Sequence, residues 1–230
     1  FTTTNATYDP TLHVEDCTVD AAYNVVYDSH NTQNFKSVYF GNSIVKMTVA
    51  NKPFYSTKAK DAHTQQLIRL DNNVFYAETP LQNYLINCGD RSQAFQTTRL
   101  QVEVTNNTIY NIYQPNIMIR AYVLAGLTVT KNVGYYTGVT AKSYLTGVYD
   151  TAGFTADKAE VTYNYLYTAP VSDTNFWSAK HTGSYTPANN QMGDGVEAPF
   201  SSMDAAKGYF PVDASVVKTG AGATYDTKAW

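Results

Sequence analysis

The stretch that decides the fold runs from Thr97 to Thr130, TTRLQVEVTNNTIYNIYQPNIMIRAYVLAGLTVT. It opens on a two-residue alternation. Thr98, Leu100, Val102 and Val104 share one side, and Thr97, Arg99, Gln101 and Glu103 the other, the pattern of a strand with one core face and one wet face. Asn106-Asn107 reads as a turn, because Asn tolerates positive φ and bonds its own backbone. After a break at Pro115 comes the most apolar run in the chain, Ile117 to Leu127, polar only at Arg120. It reads as a strand buried on both faces in the middle of a sheet.

Outward from there the same grammar repeats. Leu12 to Val19 and Ala21 to Tyr27 read as strands. Ser37 to Phe40, Gly41-Asn42 and Ile44 to Ala50 read as a hairpin. Val74 to Ala77, Leu81 to Cys88, Gly134 to Val139 and Ser143 to Val148 are further short strands. In Val161 to Tyr167, Val161, Tyr163, Tyr165 and Tyr167 are expected to share one face. Ala59 to Leu70 is a helix candidate. Ser201-Ser202 offers a cap for a short helix reaching Gly208. No internal repeat stands out, and no βαβ alternation argues for a parallel sheet. The expectation is therefore an all-β single domain over 1–230. It is an antiparallel β-sandwich, a jelly roll above all, with long loops, one or two short helices, an extended amino-terminal arm over 1–11 and an extended tail over 220–230.

A chain of 230 residues can bury roughly 70% of its unfolded surface, so its core needs no staples. Only 15% of residues are charged, against about 25% in an average domain, and polarity rests on Thr, Asn, Gln, Ser and 20 Tyr. Such a skin suits a subunit packed among copies of itself. The net charge is −3, and the 16 Lys and Arg are scattered, the first being Lys36, so no basic arm for nucleic acid or anionic membrane is present. No apolar run reaches the ~18 residues of a membrane span. Phe1 in place of Met suggests a processed or trimmed start. Cys17 and Cys88 have no zinc spacing and lie in strand-like settings, which favours free thiols over a disulfide. Asn5 and Asn106 begin N-x-Ser/Thr sequons.

Catalytic signatures are missing: there is no nucleophile elbow, phosphate loop or H-E-x-x-H helix. His13, His30, His63 and His181 lack ligand spacing. Asp150, Asp157 and Glu160, or Asp194 and Glu197 in MGDGVE, could lend oxygens to Ca²⁺, though neither loop has a calcium-loop spacing. Arg120 with Tyr122, and Trp177 with Lys180, pair a cation with an aromatic as stacking platforms do.

The segment LQVEVTNNTIYNIYQPNIMIRAYVL (100–124), followed by SDTNFWSAK (172–180) and NNQMGDG (189–195), resembles small single-jelly-roll viral capsid proteins. The resemblance spans about a third of the chain. It implies a non-enzymatic capsid subunit that self-assembles into an icosahedral shell of the virion around a nucleic-acid cargo. Exposed loop aromatics are the expected subunit contacts: Tyr135, Tyr136, Phe176, Trp177 and Tyr209. Two alternatives stand beside it. One is an extracellular filament or surface-layer subunit polymerising by strand donation. The other is a carbohydrate-binding β-sandwich that stacks Tyr on sugar faces.

Overall fold

The computed structural model describes residues 11–21, 26–28, 35–57, 67–88, 101–113, 117–121, 125–137, 144–148, 159–169, 175–177, 188–193 and 196–224. The chain winds in coils, each laying one strand on each of three sheets. The first coil supplies β1 (Thr11–Glu15), β2 (Thr18–Ala21) and β3 (Val26–Asp28); the second, β4 (Ser37–Gly41), β5 (Ile44–Met47) and β6 (Tyr55–Thr57). The third supplies β7 (Leu67–Asp71), β8 (Val74–Gln82) and β9 (Ile86–Cys88); the fourth, β10 (Gln101–Thr105), β11 (Thr108–Tyr113) and β12 (Ile117–Ala121). The fifth supplies β13 (Gly126–Thr130), β14 (Val133–Thr137) and β15 (Tyr144–Val148); the sixth, β16 (Ala159–Thr162), β17 (Tyr165–Ala169) and β18 (Asn175–Trp177). A seventh adds β19 (Gln191–Gly193) and a parallel bridge from Ala188 to Thr162.

Sheet A is β1-β4-β7-β10-β13-β16, sheet B is β2-β5-β8-β11-β14-β17-β19 and sheet C is β3-β6-β9-β12-β15-β18. Every pairing between named strands is parallel. This is a parallel β-solenoid. The expected antiparallel sandwich and jelly roll are overturned, while the all-β assignment holds. Among the described residues there is no helix. Leu67 to Leu70, expected to end one, lie in β7, and Ser201 to Gly208 form turns closed by an antiparallel Asp204–Tyr209 bridge.

The error has a local cause. A two-residue hairpin of type I′ needs positive φ at both central residues. At 42–43 only Asn42 has it (φ 47°), so the chain turns a corner into another sheet instead of reversing. Thus β4 and β5 never pair: β4 lies between β1 and β7, and β5 between β2 and β8. The same device recurs at Asp16, Asn72, Asn106, Lys131, Tyr163 and Asn189, all with φ of 55 to 58°. These corners are 25 residues apart at the closest, Asn106 to Lys131, and 34 at the widest, Asn72 to Asn106. Each sits in a two-residue link between a sheet A strand and a sheet B strand. The repeat the sequence seemed to lack is there, hidden by unequal coil lengths. Val161 to Tyr167 is likewise two strands: Val161 points into the core, Tyr163 occupies the corner and is 42% exposed, and Tyr165 opens β17. Ile117 to Leu127 is also divided, between β12 and β13.

The core is a set of stacked rows. In sheet A, Leu12, Val38, Ile68, Val102 and Leu127 form one inward row, and Val14, Phe40, Leu70, Val104, Val129 and Val161 another. The expected inward side of 101–104 is therefore right: Val102 and Val104 are fully buried and Gln101 is exposed. Phe54 crosses the interior edge-on between Phe40 and Phe75, with centroids 4.8 and 4.9 Å away.

The residue after each corner turns inward and is polar. From the second coil on, these are Ser43, Asn73, Asn107, Asn132, Asn164 and Asn190, and they stack in register. Each Asn Oδ1 accepts the backbone N–H of the residue one coil before it: Ser43 to Asn73 at 3.1 Å, Asn73 to Asn107 at 2.9 Å, Asn107 to Asn132 and Asn132 to Asn164 at 3.0 Å, and Asn164 to Asn190 at 2.8 Å. From Asn107 on, the same oxygen also takes the preceding Asn Nδ2–H, at 2.9 to 3.1 Å. The second Nδ2–H goes to a sheet A carbonyl, such as Leu70 for Asn107 and Val104 for Asn132. Each buried amide in mid-ladder is fully partnered, as burial demands. At the start, Ser43 Oγ accepts Cys17 N–H at 3.0 Å.

Replacing Asn132 by Ala leaves Asn107 N–H and one of its Nδ2–H donors buried and unmet, and takes an added donor from Val104 C=O. We expect a loss of about 2–4 kcal/mol in urea unfolding, with Asn132→Asp no better because a carboxylate cannot donate. Asn42→Ala, at a half-buried corner whose amide partners Glu15 and Asn72 reach water more readily, should cost less.

Candidate functional site: the aromatic face of sheet B

The outward side of sheet B carries two rows. The row nearest the corner is Thr18, Ile44, Val74, Thr108, Val133, Tyr165 and Gln191. Two residues on, the second row is Asp20, Lys46, Tyr76, Tyr110, Tyr135, Tyr167 and Gly193. Parallel pairing puts like positions one strand spacing apart, so these tyrosines stack. Tyr110 and Tyr135 lie 5.2 Å apart at 11°, and Tyr135 and Tyr167 4.8 Å apart at 12°. At the other end, Lys46 pairs with Glu78.

So apolar a face cannot stay bare. Residues 196–224 fold back over it as a strap. Phe210 stacks on Tyr110 (4.2 Å, 21°) and tilts against Tyr76 (5.8 Å), while Phe200 packs on Tyr110, Tyr135 and Phe210. Val217 and Ala221 cover Val133 and Tyr165. Backbone donors pin the strap's end across three coils: Gly222 to Lys131 O (2.8 Å), Ala223 to Thr108 Oγ1 (3.0 Å) and Thr224 to Asn72 Oδ1 (2.7 Å). Gly222 has φ of 92° and lies against Val133, so a side chain there would be strained and crowded. The expected extended tail is thus packed cover over residues 220–224, with 225–230 outside the described residues. A shallow groove of about 390 Å³ opens within the strap, lined by Val212, Ala214, Val217, Ala221 and Thr224 among others. Among the described residues its one titratable lining group is Tyr209.

The expected contact residues are scattered. Tyr135 is half-buried in the ladder, and Tyr209 is 42% exposed on the strap. Tyr136 is buried in the core, so it presents nothing to a neighbour. Phe176 and Trp177 belong to β18, paired with β15, and their side chains are outside the described residues. Of the calcium candidates, Glu160 is exposed on β16 and Glu197 exposed in the strap, while Asp150, Asp157 and Asp194 lie outside the described residues. Among the described residues no group of three or more His, Cys, Asp or Glu could hold a metal ion, and no helix is long and apolar enough to cross a membrane. Cys17 is a free thiol that donates to Glu15 O. Asn5 is outside the described residues. Asn106 donates its amide to Asp71 Oδ1 (3.1 Å), and the Thr108 hydroxyl of its sequon is buried under Ala223. On sheet A, His13 packs on Tyr39, and Arg69 pairs with Asp71 and Glu103. These are solvent-facing pairs of small worth.

Burial pushes the Tyr136 phenol far above its ordinary value of 10.0. Burial is also the first cause of the upward shifts of Tyr76, Tyr135 and Tyr165, with Glu197 adding to the last. The sequence signal for this face was a Tyr four residues after the corner in the third to sixth coils, Tyr76, Tyr110, Tyr135 and Tyr167, visible only once the coils are aligned. Compared with known proteins, the chain matches no family model, no curated protein and no solved structure.

Two outcomes follow from this geometry. Phe210→Ala should cost about 3–4 kcal/mol in thermal or urea unfolding and speed limited proteolysis within 196–224. Tyrosines whose folded pKa is raised stabilise fully below their unfolded value, and that stability drains as pH climbs beyond it. Stability should therefore fall above pH ~10, and Tyr136→Phe should flatten that fall when urea midpoints at pH 8 and 11 are compared.

Proposed function

We propose that this chain is a structural subunit, a rigid rod that associates end to end with copies of itself into a filament or layer at a virion or cell surface. The observation that carries the reading is the unbroken Asn ladder through the stacked coils, which ties successive corners into one axial column. At about 4.8 Å per coil, seven coils make a rod of about 30 Å. The capsid resemblance was to jelly-roll subunits, and the solenoid does not share that fold. The filament reading is supported here by open sheet ends rather than by strand donation from 1–11.

The mechanism is head-to-tail stacking. β19 and β2 end sheet B at opposite ends, and all strands run the same way. A second copy added at either end continues the parallel register, a heterologous contact that repeats without closing. Gln191 N–H is spent on Asn164 O inside the molecule. By strand alternation the next N–H, that of Met192, points away from β17 toward the incoming copy. The low charge of the chain reduces repulsion between stacked copies.

Light scattering and negative-stain images over a concentration series test this. Rods in multiples of ~30 Å are expected, with Met192→Pro cutting them back to single units because it deletes the outward donor. A monomer at every concentration would overturn the reading.

A further inference from the structure

The tyrosine row of sheet B stops one coil early. Tyr110, Tyr135 and Tyr167 stack nearly parallel, and the next position in register is Gly193. One face of Tyr167 lies on Tyr135. Among the described residues that is its one ring contact, and Gly193 brings no side chain to the other face. Tyr167 is half-buried, so part of its surface still meets solvent. Phe200 and Phe210 cover rings further down the row and do not reach it.

Around this platform the polar groups suit a ligand rich in hydroxyls. Gln191 is exposed and pairs in register with Tyr165, on the same outward side. Glu197 is exposed, takes the Tyr165 hydroxyl on its backbone oxygen at 2.7 Å, and its carboxylate is near enough to push that phenol up. An amide and a carboxylate can grip neighbouring hydroxyls, while the electron-rich Tyr face attracts the C–H edge of a saturated ring. A nucleotide could also stack, but its phosphates would meet Glu197 and a chain of net charge −3. An acidic sugar meets the same repulsion.

We propose that Tyr167, Gly193, Gln191 and Glu197 form a subsite for a neutral pyranose unit of an oligosaccharide, stacked on Tyr167 above Gly193. The sugar ring takes the place that another tyrosine would hold if the row continued. The site needs no second copy of the chain, so it stands apart from the assembly proposed above: a filament that binds no sugar, or a monomer that does, would separate the two.

Calorimetric titration with cellohexaose, xylohexaose, mannohexaose and maltohexaose tests it. Binding of at least one is expected, weakened roughly tenfold or more by Tyr167→Ala. Gly193→Tyr should fill the slot, abolish that binding and leave the melting temperature equal or higher. This second variant decides the matter even if Tyr167→Ala folds poorly. Binding of none of the four, or binding that Gly193→Tyr leaves unchanged, overturns the proposal.

Discussion

An amide buried in a protein must find two acceptors for its N–H₂ and donors for its oxygen. In this chain that demand is met only when the next coil brings another amide to the same height. Asn107, Asn132 and Asn164 each accept from the amide one coil before and donate to the amide one coil after, so no rung can shift without breaking hydrogen bonds above and below. The apolar rows permit sliding in principle, since Val on Val differs little from Val on Ile. The amide column does not. It fixes the register that the tyrosine row and the strap then rely on.

Much of the local structure was legible in the sequence. The alternation at 101–104, the apolar pair Val74–Phe75 and the strand at Ser37 to Phe40 all announce themselves. What could not be read from neighbours alone is which strand lies beside which. Gly41-Asn42 and Asn106-Asn107 look like the centres of tight reversals, but in each pair only one residue, Asn42 or Asn106, takes the positive φ, and the chain turns a corner instead. Coil lengths from 25 to 34 residues then blur the periodicity that would have betrayed the winding. Tyr163 and Lys131 add to the disguise, standing in a left-handed conformation that Asn takes more readily.

The face of sheet B was less legible still. Its tyrosines are far apart in sequence, and Phe210, which stacks on Tyr110, is 100 positions from it. No local pattern predicts that Phe200, Phe210 and Ala221 cover those coils. The Gly- and Ala-rich composition of 220–224 suggested a loose end. Small residues serve there to let backbone lie close against Val133 and Thr108.

Every link from sheet A to sheet B is two residues long, whereas the stretches from sheet C back to sheet A differ widely in length. The molecule thus separates a place that tolerates no change of length from one that tolerates a great deal. Grafted segments belong at the second kind of junction, where added chain leaves the axis untouched. Gain or loss of chain within a sheet A strand, a corner or the start of a sheet B strand would throw every later rung out of phase, so whole turns are the natural unit in which such a protein lengthens or shortens over descent.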